Sequence, residues 1–239
     1  MAKHKLKLAH LYPIEMNIYG DTGNVLALRK RIEWRGIEAE IVAVGIGEEL
    51  PLDTDIIISG GGQDRGASTV EDDLLMRKST LQEMHDSGVV MLLICGTYQL
   101  FGHKFVTHKN EEIKGIGLLD IETYAGEERL IGNIVTDTDF GEMVGYENHS
   151  GLTYVGQKSK PLGRVVKGAG NNGLDRTEGA YSNNVFGSYL HGPLLPKNPV
   201  FADELISRAL RRKYDSTDMK QLDNGLEMAA HETASTRPR

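Results

Sequence analysis

The stretch VVMLLICGTYQLFG, residues 89–102, decides the fold and contains the only cysteine of the chain. Seven apolar residues run without a break from Val89 to Cys95, and Gly96 then interrupts them. An apolar run without polar alternation is typical of a parallel strand buried on both faces, and the glycine favours a turn into a helix beginning near Thr97. The sequence therefore places the thiol at the carboxyl edge of a sheet, where α/β proteins bind ligands.

Strands and helices alternate along the first half of the chain. In the helix predicted over Gly23–Arg35, the side chains of Leu26, Leu28 and Ile32 lie partly on one face. Because this order favours parallel pairing, we predict an α/β fold with a mostly parallel central sheet and flanking helices. The predicted strands are Leu6–Leu11, Ala39–Val44, Asp55–Ser59 and Val89–Ile94, and a second helix is predicted over Leu74–Asp86.

The second half has short apolar segments separated by Gly, Asp and Asn, which predict an antiparallel extension of the sheet. These segments are Ile116–Thr123, Leu130–Val135, Met143–Tyr146, Arg164–Lys167 and Asn184–Leu190. An amphipathic helix is predicted over Pro199–Tyr214, with Phe201, Leu205 and Leu210 inward. We predict one domain over residues 1–214 and a polar, disordered tail over residues 215–239.

Composition and charge limit the class of protein, its cellular location and its partners. The chain has 239 residues, 39% of them hydrophobic, and its single cysteine cannot form an intrachain disulfide. Its start, MAKHKLKLAHLYP, lacks the apolar core of a signal peptide, and no run approaches the roughly 20 apolar residues that span a bilayer. These features predict a cytoplasmic protein without membrane insertion. A net charge of −7 argues against a nucleic-acid partner.

The position of Cys95 suits a nucleophile. The positive end of the following helix lowers the pKa of a thiol, and the backbone N–H of Gly96 can stabilise an oxyanion. The alternative is a buried core cysteine without chemistry, which is common for a thiol at the end of an apolar run. A nucleophilic thiol also needs a base.

The candidate base is His191, in GSYLHGPLLPKNP, because an imidazole can take the proton of a thiol and later return it to a leaving group. Single histidines are more often surface or core residues. In IIISGGGQDRG, an apolar strand runs into the cluster that includes Gly61 and Gly62, whose backbone N–H groups can form the other half of an oxyanion hole. The alternative for that cluster is a plain tight turn.

These motifs together resemble a known family. ICGTYQLFG resembles the nucleophile elbow of class I glutamine amidotransferases, in the branch of the cobyric acid synthases, although Thr97 stands where that branch usually has glycine. GSYLHG is similar to the family's histidine-bearing strand. Four further segments resemble the GatD-type subunits that supply ammonia to a Mur-ligase-like (MurT-type) synthetase amidating the glutamate of lipid II. They are YGDTGNVLALRKR, EERLIGNIV, GYENHSG and YLHGPLLPKN, and the resemblance extends from Leu6 to Leu210.

The resemblance implies a role for each candidate residue. Cys95 would attack the side-chain amide of glutamine, His191 would act as base, and Gly61, Gly62 and Gly96 would hold the oxyanion. Arg129 would bind the glutamine carboxylate, since a guanidinium recognises a carboxylate in bidentate fashion. The alternative is a solvated arginine beside two glutamates. The backbone near Asn148 and His149 would approach the amino-acid end of the substrate, and Gln99 would shape the pocket.

Cofactors and partners follow from the same resemblance. We expect no cofactor on this chain, and ATP on a partner synthetase in a heterodimer, because the P-loop pattern GxxxxGK[ST] is missing from the sequence. The acceptor would be membrane-bound. Zinc at His149 and His191 is disfavoured, since the chain has one cysteine and no paired ligand spacing.

One position departs from many relatives, which carry a glutamate two residues after the histidine. Here that position is Pro193, which has no side-chain acceptor. A Cys–His dyad, a carboxylate from elsewhere in the chain, or one from the partner remain as alternatives. At the level of function, the alternatives are amidation of a corrinoid or other small acid, and a non-catalytic binding module of the same fold.

Overall fold

The computed structural model describes residues 4–62 and 64–238, whose strands form two six-stranded sheets. The strands are β1 (Lys5–Leu11), β2 (Glu38–Val44), β3 (Ile56–Ser59), β4 (Val90–Ile94), β5 (Lys104–Val106), β6 (Glu112–Lys114), β7 (Ile121–Thr138), β8 (Gly141–Val155), β9 (Gly163–Lys167), β10 (Thr177–Glu178), β11 (Ala180–Ser182) and β12 (Val185–Ser188). The helices are α1 (Thr22–Glu33), α2 (Asp64–Met76), α3 (Lys78–Asp86), α4 (Gly96–Leu100), α5 (Pro199–Tyr214) and α6 (Gly225–Thr236), and a short 3₁₀ helix covers Leu195–Lys197.

The first sheet has the order β11-β12-β4-β3-β1-β2. All its neighbouring strands are parallel except the edge strand β11, which is antiparallel to β12. Every residue of β4 is buried, as the unbroken apolar run predicts. The α/β class and the mostly parallel central sheet are therefore confirmed.

The strand predicted over Asn184–Leu190 exists but has a different partner. The prediction placed it in the antiparallel extension, whereas β12 runs parallel to β4, with Ser188 beside Ile94. Short-range patterns identify a strand but not its neighbour, and this neighbour lies about ninety residues earlier in the chain. The pairing matters because it brings the segment after β12 to the end of β4.

The second sheet contains β10, β9, β7, β5 and β6 in that order, and β8 pairs with β7. Together β7 and β8 form a long antiparallel ribbon. Ala125 pairs with Gly151 and Leu130 pairs with His149, so residues 126–129 bulge opposite the single residue Ser150. This ribbon is the predicted antiparallel extension, built as a separate sheet.

The strand predicted over Ile116–Thr123 forms only from Ile121 onward. Residues 115–119 instead follow the loop after α4: the N–H of Gly117 donates to the carbonyl of Gly102 at 2.8 Å, and that of Leu119 donates to Phe101 at 2.9 Å. Gly117 has a φ of +71°, which interrupts an extended strand. The apolar composition of this segment reflects burial rather than pairing.

The helices agree with the sequence in part. Leu28 and Ile32 of α1 are buried, whereas Leu26, predicted to lie partly on the same face, is 49% exposed. The predicted helix Leu74–Asp86 is two helices, because the chain breaks at Arg77, whose guanidinium bonds Asp73 and the carbonyl of Glu48. In α5, Phe201, Leu205 and Leu210 are buried as predicted.

Over the residues described, none of the helices combines the length and apolar character needed to cross a membrane.

The region beyond Asp215 was predicted to be a disordered tail, whereas the structure has the helix α6 there. Glu227 of α6 lies 3.3 Å from the guanidinium of Arg31, and His231 bonds the carbonyl of Lys197 through Nδ1 at 2.8 Å. Polar composition conceals such a helix, because these anchors are ionic and hydrogen-bonded rather than apolar. Helix α6 contacts β7, β8 and the 3₁₀ helix.

Candidate active site

Cys95 occupies a sharp turn between β4 and α4. Its backbone has φ +50° and ψ −103°, a conformation that side-chain-bearing residues rarely adopt. The N–H of Cys95 donates to the carbonyl of Ser188 at 2.8 Å, and its carbonyl accepts from the N–H of Gln99 at 3.0 Å. The strained residue is thus held by β12 on one side and by α4 on the other.

His191 follows β12 and lies at the same edge of the first sheet. Its backbone forms an isolated antiparallel bridge with Tyr146 of β8, in which the N–H of His191 donates to the Tyr146 carbonyl at 2.8 Å. Its ring packs against Tyr19, with the ring centroids 4.3 Å apart. Among the described residues, neither ring nitrogen has a hydrogen-bond partner. No other described side chain or backbone group therefore competes for these nitrogens.

Gly61 lies between the thiol residue and the histidine. A Cβ added at Gly61 would lie 3.0 Å from Cε1 of His191 and 3.2 Å from Cβ of Cys95. The two predicted catalytic side chains therefore border one small space, which only glycine leaves open. The arrangement brings a thiol and an imidazole together, as a nucleophile and its base require.

The structure corrects one expected oxyanion donor. The N–H of Gly61 donates to Oδ2 of Asp21 at 2.8 Å, so this amide already has an acceptor. The amide nitrogen of Gly62 lies 3.0 Å from the position that a Cβ on Gly96 would take, which places the backbones of Gly62 and Gly96 side by side. Gly62 and Gly96 thus remain candidates for the oxyanion hole, whereas Gly61 contributes space.

Thr97 has a role that the sequence did not predict. Its hydroxyl donates to the carbonyl of Gly60 at 2.8 Å, with the carbonyl of Ser59 at 3.1 Å. A glycine at this position, as in the related motif, has no such donor. The threonine fixes the first turn of α4 against the end of β3 and the loop that follows it.

A cavity of about 320 Å³ opens beside the thiol. Its lining includes most of the predicted site together with five residues to which the sequence assigned no role, namely Tyr19, Phe105, His108, Ser150 and Gly151. The predicted members of the lining are Gly62, Cys95, Gln99, Arg129, Asn148 and His149. The structure thus gathers residues from both sheets around one space of substrate size.

Arg129 lies in the bulge of β7 and reaches the cavity from the second sheet. Its Nε donates to Oδ1 of Asn148 at 2.6 Å, and its Nη2 lies 3.4 Å from the hydroxyl of Tyr19. No ion pair joins Arg129 to a carboxylate within the described residues, so its charge is available to a substrate carboxylate. The side chain of Asn148 thus contacts Arg129, whereas the sequence predicted only a backbone role for that region.

His149 and Gln99 both contact Tyr189. The ring of His149 stacks on that of Tyr189 at 3.6 Å, and Nδ1 of His149 donates to the carbonyl of Gly151 at 2.8 Å. The side-chain amide of Gln99 donates to the Tyr189 hydroxyl at 3.0 Å. Tyr189 is two residues before His191, so this buried cluster also supports the segment that holds the base.

Burial sets the protonation of the two histidines. Burial lowers the pKa of His149 to about 4, and burial, followed by the charges of His149 and Arg129, lowers the pKa of His191 to about 3. Both imidazoles are therefore neutral near pH 7. A neutral His191 can accept a proton, as a general base must.

The sequence profile of the CobB/CobQ-like glutamine amidotransferase domain matches residues 7–199, with Cys95 and His191 inside the match. This chain belongs to that family. The branch related to cobyric acid synthases, expected from ICGTYQLFG, is thereby confirmed, and the protein is a glutamine amidotransferase.

Two relatives of this amidotransferase are both GatD subunits of lipid II isoglutaminyl synthase. It is 39% identical over 236 residues to the GatD subunit of lipid II isoglutaminyl synthase (glutamine-hydrolyzing) from Staphylococcus aureus, covering 98% of this chain and 96% of that protein. It is also 39% identical over 215 residues to the GatD subunit from Streptococcus pneumoniae, covering 88% and 83% respectively. The likeness to GatD-type subunits is confirmed at the level of sequence.

A solved structure shares the fold of this amidotransferase. A glutamine amidotransferase from Thermotoga maritima aligns over 97% of this chain and 94% of its own, with a TM-score of 0.56 and 14% identity. At this identity the likeness concerns the fold alone.

Proposed function

We propose that this amidotransferase is the glutaminase subunit of a lipid II isoglutaminyl synthase. The observation that carries the proposal is the meeting of Cys95 and His191 at Gly61, beside a cavity that contains Arg129. The two GatD relatives support the choice of acceptor, since each is named as a subunit of that synthase.

The proposed reaction begins when the thiolate of Cys95 attacks the side-chain amide carbon of glutamine. The backbone N–H groups of Gly62 and Gly96 stabilise the oxyanion, and His191 carries the proton from the thiol to the departing ammonia. Water then attacks the thioester, with His191 as base, and glutamate leaves. Cys95 and Gly62 line the cavity, and His191 and Gly96 lie next to them.

In this proposal, the β7–β8 ribbon binds the α-carboxylate of the substrate. Arg129 binds the α-carboxylate of glutamine, oriented by its bonds to Asn148 and Tyr19. Gln99 and His149 form the wall of the cavity next to the thiol. This division places the reacting amide at the first sheet and the charged end of the substrate at the second.

The ammonia must pass to a second protein. Ammonia in water is largely protonated near neutral pH and is then not nucleophilic, so a synthetase must receive it directly. We propose a Mur-ligase-like (MurT-type) partner that binds ATP and activates the glutamate of the lipid II stem peptide. The cytoplasmic location predicted from the sequence is part of this proposal, because the activation step uses ATP.

The same partner is proposed to complete the catalytic site. Pro193 stands where many relatives have an acidic residue, and both nitrogens of His191 lack partners among the described residues. A carboxylate contributed across the interface would orient the imidazole. Ammonia release would then depend on the presence of its consumer.

The test is reconstitution with purified synthetase, ATP and lipid II, supplied with either glutamine or ammonium. We expect amidated lipid II with either nitrogen source when both proteins are present, and with ammonium alone when this chain is omitted. Glutamate release by the isolated chain should be weak and should rise on adding the synthetase. Neutralising one interface Asp or Glu of the synthetase should remove that rise. Equal glutaminase rates with and without the synthetase would contradict the proposed interface acid, and failure to amidate lipid II from glutamine would contradict the acceptor.

A further inference from the structure

A buried carboxylate lies behind the glycine loop of the active site. Asp21 has no measurable exposure, and it precedes α1 at the position where a side chain commonly caps a helix. It makes no such capping bond; instead its Oδ2 accepts the N–H of Gly61. A buried carboxylate is unfavourable unless it is hydrogen-bonded, so the bond to Gly61 is the interaction that the structure provides for it.

The fit between Asp21 and the loop is close. A Cβ added at Gly60 would lie 2.4 Å from Cβ of Asp21, so the loop backbone can approach the carboxylate only as glycine. Oδ1 of Asp21 is buried without a hydrogen-bond partner among the described residues. The carboxyl group therefore makes one strong contact with the protein, and that contact is with the active-site loop.

The segment around Asp21 touches the site at two more points. Tyr19 packs on the ring of His191, and a Cβ added at Gly23 would lie 2.3 Å from Cγ of Pro193. The segment from Tyr19 to Gly23 therefore joins the glycine loop after β3 to the histidine segment after β12. Movement at Asp21 would be transmitted to both.

We propose that Asp21 is a positioning residue for glutamine hydrolysis, which holds the Gly61 amide so that the adjacent Gly62 amide faces the developing oxyanion. The inference rests on the proposed glutaminase function. Asp21 does not touch the substrate. It acts by fixing one peptide of a flexible glycine run, because three successive glycines without an anchor have many accessible backbone conformations. The required property is a hydrogen-bond acceptor; burial raises the pKa of Asp21 to about 6, and the group can accept in either protonation state.

The test compares Asp21→Ala and Asp21→Asn in the full chain, assayed by glutamate release from glutamine. Asp21→Ala removes the acceptor and should lower kcat on the order of 10- to 100-fold with little change in KM, somewhat less than the loss of an oxyanion donor itself. Asp21→Asn keeps an acceptor oxygen and should retain kcat within about three-fold of wild type. Alkylation of Cys95 by iodoacetamide, which needs no oxyanion hole, should proceed at the wild-type rate in both variants.

Asp73→Ala is the matched control. Asp73 is also buried and also accepts a glycine N–H at 2.8 Å, but that glycine is Gly47, which lies outside both the glycine loop and the cavity lining. Its replacement should lower the melting temperature without changing kcat. A kcat loss in Asp73→Ala as large as that in Asp21→Ala would overturn the proposal, because loss of fold stability would then explain both.

A second measurement does not depend on glutamine. Hydrogen exchange of the Gly61 amide, followed by NMR, should be at least about tenfold faster in Asp21→Ala than in wild type, since each 1.4 kcal/mol of lost protection is a factor of ten. Unchanged exchange, a rise of kcat in Asp21→Ala, or an Asp21→Asn variant as slow as Asp21→Ala would each overturn the inference. If wild type releases no glutamate with or without a synthetase, the proposed function has failed, and the exchange rate still decides whether Asp21 anchors the loop.

Discussion

The elbow at Cys95 and the ribbon of β7 and β8 face the same cavity but hold their side chains by different means. The elbow is rigid: every residue of β4 is buried, and Cys95 is fixed by a strained backbone between two elements. Arg129 on the ribbon is exposed and is positioned by hydrogen bonds to two other side chains. The proposed nucleophile and the proposed carboxylate site therefore lie on different elements, so mutations in the two regions should divide into effects on kcat and effects on KM.

The largest effect is expected at the elbow. Cys95→Ala removes the nucleophile and should lower glutamate release by roughly 10⁴-fold or more, as loss of a catalytic nucleophile does elsewhere. Ammonium-dependent amidation by the complex should continue, because only the ammonia supply depends on this residue. A diazo-ketone analogue of glutamine should label Cys95 alone, as peptide mapping would show. Residual glutamine hydrolysis near the wild-type rate would contradict the assignment.

On the ribbon, Arg129→Ala should raise KM for glutamine with little effect on kcat. Loss of a charge-assisted contact costs on the order of 1.5–3 kcal/mol, which is roughly 10- to 150-fold in affinity. Arg164→Ala is the matched control, since Arg164 is an exposed arginine of the same sheet outside the cavity lining. Steady-state kinetics of both variants, with glutamine as the substrate, measures kcat and KM separately. A fall in kcat with unchanged KM would show that the two regions are not separate.

Gly61→Ala tests the space shared by the thiol residue and the histidine. The new methyl group would lie 3.0 Å from the His191 ring and should displace it, lowering kcat on the order of 10- to 100-fold, since small misplacements of reacting groups have effects of that size. Gly45→Ala is the control, because its nearest contact would be an ordinary 3.4 Å to a flexible glutamate side chain. An unimpaired Gly61→Ala enzyme would mean that His191 does not act from its observed position.

The smallest effect concerns stability rather than rate. Burial lowers the folded-state pKa of His149 to about 4, below the ordinary value near 6.5, so the unfolded chain binds the proton first. The free energy of unfolding therefore carries no penalty from His149 above pH 6.5. It decreases as the pH falls from 6.5 toward 4, by about 1 kcal/mol per pH unit. Urea unfolding at pH 7, 6 and 5 should show a shallower pH dependence for His149→Gln than for wild type. Parallel curves would indicate that His149 is not buried in solution.

Local sequence was sufficient to predict the elbow but not its surroundings. The apolar run before Cys95 and the glycine after it specify a buried strand and a turn, and both are local properties. The partner of β12 and the bond from Asp21 to Gly61 depend on residues far apart in the chain, which no periodicity reveals. The same holds for Tyr19, whose packing on His191 has no sequence signal apart from its place in a recognised motif. Resemblance pointed to Cys95 and His191, which the structure places side by side. It also assigned Gly61 an oxyanion-donor role, whereas the N–H of Gly61 donates to Asp21.

The bulge in β7 gives the substrate pocket an adjustable length. Residues 126–129 stand opposite Ser150 alone, so one residue can be inserted or deleted there while the side chains on either side keep their faces. Such a change would move Arg129 relative to the thiol without altering the buried core. With Arg129 binding the substrate carboxylate as proposed, the length of this bulge sets the distance between carboxylate and thiol, and so the length of amide that fits.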